Sequence, residues 1–130
     1  MLSPDDDFTV PLSNIWGTTL DICDRTGSLN KAQSVPNDDG TYTYVIAPAD
    51  PGVANWIDSD GLREGILTLR MAEFGESGPR EDLGARGRVV KLDQLDAEVP
   101  ALRRVTAAQR AVELADRRKA YLRRLPEGTI

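Results

Sequence analysis

The stretch Thr41-Tyr42-Thr43-Tyr44-Val45-Ile46-Ala47 decides the reading of this chain. Every residue but the last is β-branched or aromatic, and Tyr42, Tyr44 and Ile46 recur at every second position, the period at which side chains of a strand share a face. Before it, Pro36-Asn37-Asp38-Asp39-Gly40 is a turn signal, because Asn, Asp and Gly tolerate positive φ and Pro sets the approach. Pro48 stops the run.

Working outward, Ile15-Trp16-Gly17-Thr18-Thr19-Leu20-Asp21-Ile22 puts Trp16, Thr18, Leu20 and Ile22 on one side of an extended segment and predicts a strand. Asp24 to Gly27 reads as a turn, and a further strand is expected near Ser28 to Val35. Gly65 to Met71 restores alternation, with Leu67, Leu69 and Met71 inward and Thr68 and Arg70 outward. Arg88 to Leu92 is expected as a last edge strand. Between these, Ala49 to Glu64 holds too many breakers for a long element and reads as a structured loop with a short strand around Trp56, and Gly75 to Gly87 reads as a mobile connection.

The C-terminal end changes period. Thr106 and Gln109 are spaced as a capping box, in which each side chain bonds the other's backbone amide. Beyond them Ala108, Ala111, Val112, Ala115 and Leu122 recur at three- and four-residue steps, with Leu114 and Tyr121 widening the stripe. Pro126 prevents continuation, so a helix with one buried apolar face is expected to end near Arg124.

Short strands between Gly/Pro turns, followed by one helix, predict a mainly β fold: an antiparallel, jelly-roll-like β-sandwich with one C-terminal amphipathic helix. The expected organisation is an exposed N-terminal arm over 1–13, a β-sandwich over 14–105, and a helix over 106–125 packed on the sandwich or on a second subunit.

Composition narrows the chemistry. The chain has 130 residues, one domain's worth, and 40% apolar and 28% charged residues, within the ordinary globular range. There is no histidine, which excludes Ser-His-Asp and Cys-His catalysis and histidine-ligated metals. A single cysteine, Cys23, forbids an intrachain disulfide and suits a reducing compartment. No segment has the length and apolarity of a signal peptide or a membrane span, so the cytoplasm is the expected location. The net charge of −5 disfavours nucleic acid as a partner. That charge is unevenly spread: residues 1–64 carry eleven acids against three bases, and residues 65–130 carry ten against thirteen. A basic helix and an acidic front half could therefore meet within one subunit or between two.

Three segments resemble a known family: Asn14 to Leu20, the strand Thr41 to Ile46 followed by Pro51-Gly52-Val53-Ala54-Asn55-Trp56, and Gly65 to Arg70. They are similar to the family catalogued as domain of unknown function 1214, the C-terminal part of larger bacterial proteins. The resemblance covers about the middle half of the chain, and its most specific element is Pro-Gly-x-x-Asn-Trp. It implies a jelly-roll-like sandwich and a separate partner domain, and brings no accepted chemistry.

The remaining candidates are few. Asp58, Asp60 and Glu64 share one loop and could divide acid and base roles, although their spacing lacks the ligands of a calcium loop. Asn55 and Trp56 could contact a ligand or close the end of a sandwich, and Arg70 could cap a carboxylate or line a cleft. Arg25, close to Cys23, could lower that thiol's pKa. No metal site and no cofactor is predicted. The expected function is a noncatalytic β-sandwich module for assembly or ligand binding. The competing expectation is a carboxylate-based hydrolase or carbohydrate-processing enzyme with its site near Trp56 and Asp58.

Overall fold

A computed structural model describes residues 7–72, 74–76, 78–79 and 81–127. Its central strand is β1 (Asp7–Ser13), which alternates Phe8, Val10 and Leu12 into the core with Thr9, Pro11 and Ser13 on the other face. One edge of β1 pairs antiparallel with β2 (Ser28–Asn30), opposing Val10 to Leu29. The other edge pairs antiparallel with β5 (Ile66–Leu67) and β6 (Arg70–Ala72). Leu12 faces Leu67, and Thr9 faces Arg70, so one register runs through both pieces. The break between them falls opposite Pro11, which has no N–H to give the ladder, while its carbonyl still accepts from the Thr68 amide at 3.0 Å.

A second, two-stranded sheet joins β3 (Val45–Ala47) to β4 (Trp56–Asp58) in parallel. Parallel neighbours ordinarily need a crossover of a dozen or more residues. Here residues 48–55 make it without a helix, helped by positive φ at Gly52 (70°) and Asn55 (57°). The core lies where β1 and β2 meet β4: Phe8, Val10, Leu12, Leu29 and Ile57 are buried, and Leu20, Tyr42, Tyr44 and Met71 pack around them. Phe8 and Tyr42 meet edge to face with ring centroids 4.8 Å apart. The chain ends in α1 (Leu95–Glu98) and the long α2 (Ala107–Leu122).

The architecture is therefore a mixed α/β fold with two open sheets, which corrects the mainly β, jelly-roll-like sandwich expected from the sequence. Neither sheet closes or curls onto the other as a jelly roll requires. The expected arm is corrected over 7–13, which forms the central strand of the larger sheet; residues 1–6 lie outside the described residues.

Trp16 to Ile22 is not a strand. The Asn14 carboxamide accepts from the amides of Trp16 and Thr18, Gly17 takes φ 75°, and the Asp21 carboxylate accepts from the amides of Cys23 and Asp24. These short-range bonds occupy the backbone groups that a ladder would have used. Trp16 is left 83% exposed. The segment after Ser28 stops being a strand at Asn30, whose side chain caps a single 3-10 turn over Lys31–Gln33. Arg88 to Leu92 forms no strand either: Val89 is fully exposed, and the Arg88 guanidinium binds the Glu98 carboxylate and carbonyl.

α2 begins as expected, with Thr106 and Gln109 reciprocally bonded in a capping box. The expected stripe divides: Leu114, Tyr121 and Leu122 are half-buried, whereas Ala108, Ala111, Val112 and Ala115 face solvent, and the fully buried residue of the helix is Arg110.

Candidate functional site

Residues 50–61 hold Asn55, Trp56, Asp58 and Asp60 of the sequence-predicted site residues, and of these Asn55, Trp56 and Asp58 are buried. Asp50 accepts from the Gly52 amide and starts the turn. Backbone bonds from Val105 to Gly52 and from Ala54 to Arg103, each 2.9 Å, tie it to the segment leading into α2. Asn55 is buried at positive φ; its carboxamide oxygen accepts from the Val35 amide, and its nitrogen donates to the carbonyls of Val35 and Thr43. All its capacity but one lone pair is thus spent on holding residues 35–43 against β4.

Trp56 is buried, and its indole N–H donates to the Ala47 carbonyl at 3.0 Å. Arg110 covers its ring, with the guanidinium carbon 5.3 Å from the centroid. That guanidinium is 4% exposed with the rest of its residue, yet it is fully engaged: it donates to the Asp50 carboxylate, to Glu113 Oε2 and to the Val53 carbonyl. A buried cation is tolerable only with such partners. Lower on the helix, Arg117 donates to the Ile22 carbonyl at 2.8 Å, and Arg118 pairs with Asp24 at 2.6 Å. The basic helix thus meets the acidic front half within one subunit.

Arg25 bridges the Asp58 and Asp60 carboxylates at 3.0 and 3.2 Å. Asp58 is buried, and its other oxygen accepts from the Asp60 amide, helping Asp60 hold φ 50°. These two aspartates are brought together; exposed Glu64 joins no ion pair with them. One cation, Arg25, serves both carboxylates. Among the described residues no group of three or more His, Cys, Asp or Glu could hold a metal ion. Arg70, on the outer face of β6, is exposed and is not among the residues lining the cleft beside Asn55.

Because Arg25 is committed to Asp58, it does not activate Cys23. Burial and the neighbouring Asp24 push the Cys23 thiol up, against the pull of Arg118. Near the hub, an open cleft of about 650 Å³ is lined by Val35, Pro36, Asp38, Asn55, Leu102 and Arg103 among others. Asn55 presents no free donor to it.

Sequence reasoning missed Arg110 as the organising side chain. Its signal was present, since an arginine three residues before Glu113 on a helix has a ready partner, but its other partners lie about sixty residues away.

No family model matches the chain, and neither does any curated protein. Among solved structures the chain is similar to an uncharacterized protein from Burkholderia cenocepacia, with 26% identity, 55% of this chain and 27% of that chain covered, and a TM-score of 0.41. The chain thus spans about a quarter of that protein, and a likeness at this TM-score carries no argument.

The resemblance to the domain of unknown function 1214 family is corrected on these findings: no model of it matches, and the sheets stay open where the family implies a jelly roll. Both functional expectations fall with it. Among the described residues there is no β-sandwich to serve as a module, and the carboxylates proposed for hydrolysis, Asp58 and Asp60, share Arg25 without Glu64. Among the described residues, no helix is long and apolar enough to cross a membrane.

Proposed function

We propose that this protein works by self-association through α2, in a reducing compartment such as the cytoplasm. The observation that carries the reading is the outward turn of the helix's alanines and Val112. Arg110, Arg117 and Arg118 are engaged on the protein's own body, while Ala108, Ala111, Val112 and Ala115 form an apolar stripe that is exposed among the described residues. Val112 is 61% exposed. Toward the C-terminal end the stripe opens into a shallow hollow of about 440 Å³ floored by Ala115 and Leu122 and flanked by Arg118, Lys119 and Arg123.

A second copy of the helix suits this surface. Alanines permit close approach of two helices, and an antiparallel pair about Ala115 sets the two dipoles head to tail. It also lays Leu122 of each copy over Ala108 of the other. The single cysteine of the chain is in keeping with a reducing compartment.

Sedimentation velocity over a range of concentrations tests the reading. The expected result is a reversible dimer that Val112→Glu with Ala115→Glu returns to monomer, with the far-ultraviolet circular dichroism unchanged. A wild-type chain that is monomeric throughout would sink it.

A further inference from the structure

The β5–β6 edge of the main sheet carries a second set of unused groups. In an antiparallel ladder, alternate residues turn both backbone groups toward one neighbour. The Thr68 amide reaches Pro11, and Ile66 and Arg70 oppose Ser13 and Thr9, so the even-numbered residues face β1. The N–H and C=O groups of Leu67, Leu69 and Met71 therefore point out of the sheet, where no strand pairs with them among the described residues. Such an edge is a template for another strand.

The side chains repeat the pattern. Leu67 lies opposite buried Leu12, on the core face, yet is 40% exposed; Leu69, next on that face, is 44% exposed. These leucines sit where the core runs out. On the outer face Arg70 is exposed, as is Glu64 in the bend just before β5, and neither makes an ion pair among the described residues. Ile66 is exposed between them, and the turn that begins at Asn14, one residue past Ser13, holds Ile15 and Trp16 exposed at the same end of the sheet.

We infer that this edge pairs antiparallel with the same edge of a second copy, about a two-fold axis at Thr68. That register places Leu67 opposite Leu69 of the other copy, twice by symmetry, and joins the outward backbone groups of both edges. It sets Arg70 opposite Ile66 of the other copy, with Glu64 in the bend two residues before that isoleucine and within reach of long side chains. Charge complementarity thus selects a second copy of this chain as occupant, since each edge supplies the cation and the anion that the other lacks. The strand is short and the buried area small, so the contact is a weak one, with dissociation in the micromolar range or above. It is separate from the helix surface, and two isologous contacts on one chain allow a dimer of dimers.

The test uses the full chain carrying Val112→Glu and Ala115→Glu, so that only the edge remains. Sedimentation equilibrium should show concentration-dependent dimerisation in this background. Arg70→Glu should weaken it about tenfold, and Arg70→Glu with Glu64→Arg should restore it. Leu69→Pro, which removes one outward N–H not used by the protein's own sheet, should abolish it while circular dichroism stays native. Dimerisation indifferent to the charge reversal would overturn the register. A strict monomer at millimolar concentration would overturn the proposal and leave the edge to a strand of another protein; because the helix surface is absent from this background, neither result depends on the reading of α2.

Discussion

The guanidinium of Arg110 lies over the indole of Trp56, 5.3 Å from the ring centroid, and this contact fastens α2 to the rest of the protein. Around it, Asp50, Glu113 and the Val53 carbonyl take the arginine's hydrogen bonds. The helix is docked by a buried cation where the sequence suggests a greasy stripe.

Arg110→Leu is accordingly expected to destabilise the fold by about 2–3 kcal/mol, although leucine suits a buried helix position better. The loss comes from the Val53 carbonyl left without a donor and the Asp50 carboxylate left with the Gly52 amide alone, plus about 1 kcal/mol of cation–π attraction. Urea unfolding measures it, and a variant as stable as the wild type would show that the helix is held by something else.

Asn55 combines a positive φ of 57° with three hydrogen bonds from its carboxamide. Asn55→Ala should cost about 3 kcal/mol, through lost bonds and a strained backbone. Asn55→Gly loses the same bonds but accepts the backbone, so it should be less damaging by about 1 kcal/mol. Equal losses in the two variants would mean that backbone conformation contributes nothing.

Asp58→Asn is expected to lower the melting temperature, because the Arg25 bridge at 3.0 Å joins β4 to the turn preceding β2. Asp60→Asn should change it much less, since Asp60 is on the exposed side of that bridge. Differential scanning fluorimetry distinguishes the two. A destabilisation that is the same for both would count against the asymmetric burial described above.

Tyr44 donates its hydroxyl proton to Ser34 Oγ at 2.7 Å and is half-buried. Burial pushes its pKa from 10.0 up to about 12. A group whose folded pKa lies above its unfolded value contributes stability in full below the unfolded pKa and loses it as pH rises through the folded one. Stability should therefore decline between pH 10 and about 12, the decline should shrink in Tyr44→Phe, and absorbance at alkaline pH should show one tyrosine titrating late. A Tyr44→Phe variant with the wild-type alkaline profile would refute the assignment.

Part of this fold is legible in the residues, and the boundary is physical. Alternation in Gly65 to Met71 places Leu67, Leu69 and Met71 on one face, which is the face opposite Leu12 and Phe8, but does not reveal that the face lies at an uncovered edge. The alternation of Trp16 to Ile22 misleads, because Asn14 and Asp21 outcompete a ladder with bonds closed over two to four residues. The N-terminal strand is hidden because Asp5, Asp6 and Asp7 mask the short alternation of Phe8, Val10 and Leu12 that follows. At the candidate site, Asp58 and Asp60 are two residues apart and their proximity is readable, whereas the arginine that joins them is thirty-three residues before Asp58.

The sequence by itself determined where α2 starts and how the turns at Asp39–Gly40 and Asp50–Gly52 are made, since the bonds involved close within two or three residues and hold in any surroundings. Only the tertiary structure decided which face of α2 is buried. A helix can hide arginine and expose alanine when a carboxylate, a carbonyl and an indole about sixty residues away converge on the guanidinium, and no local pattern records that convergence.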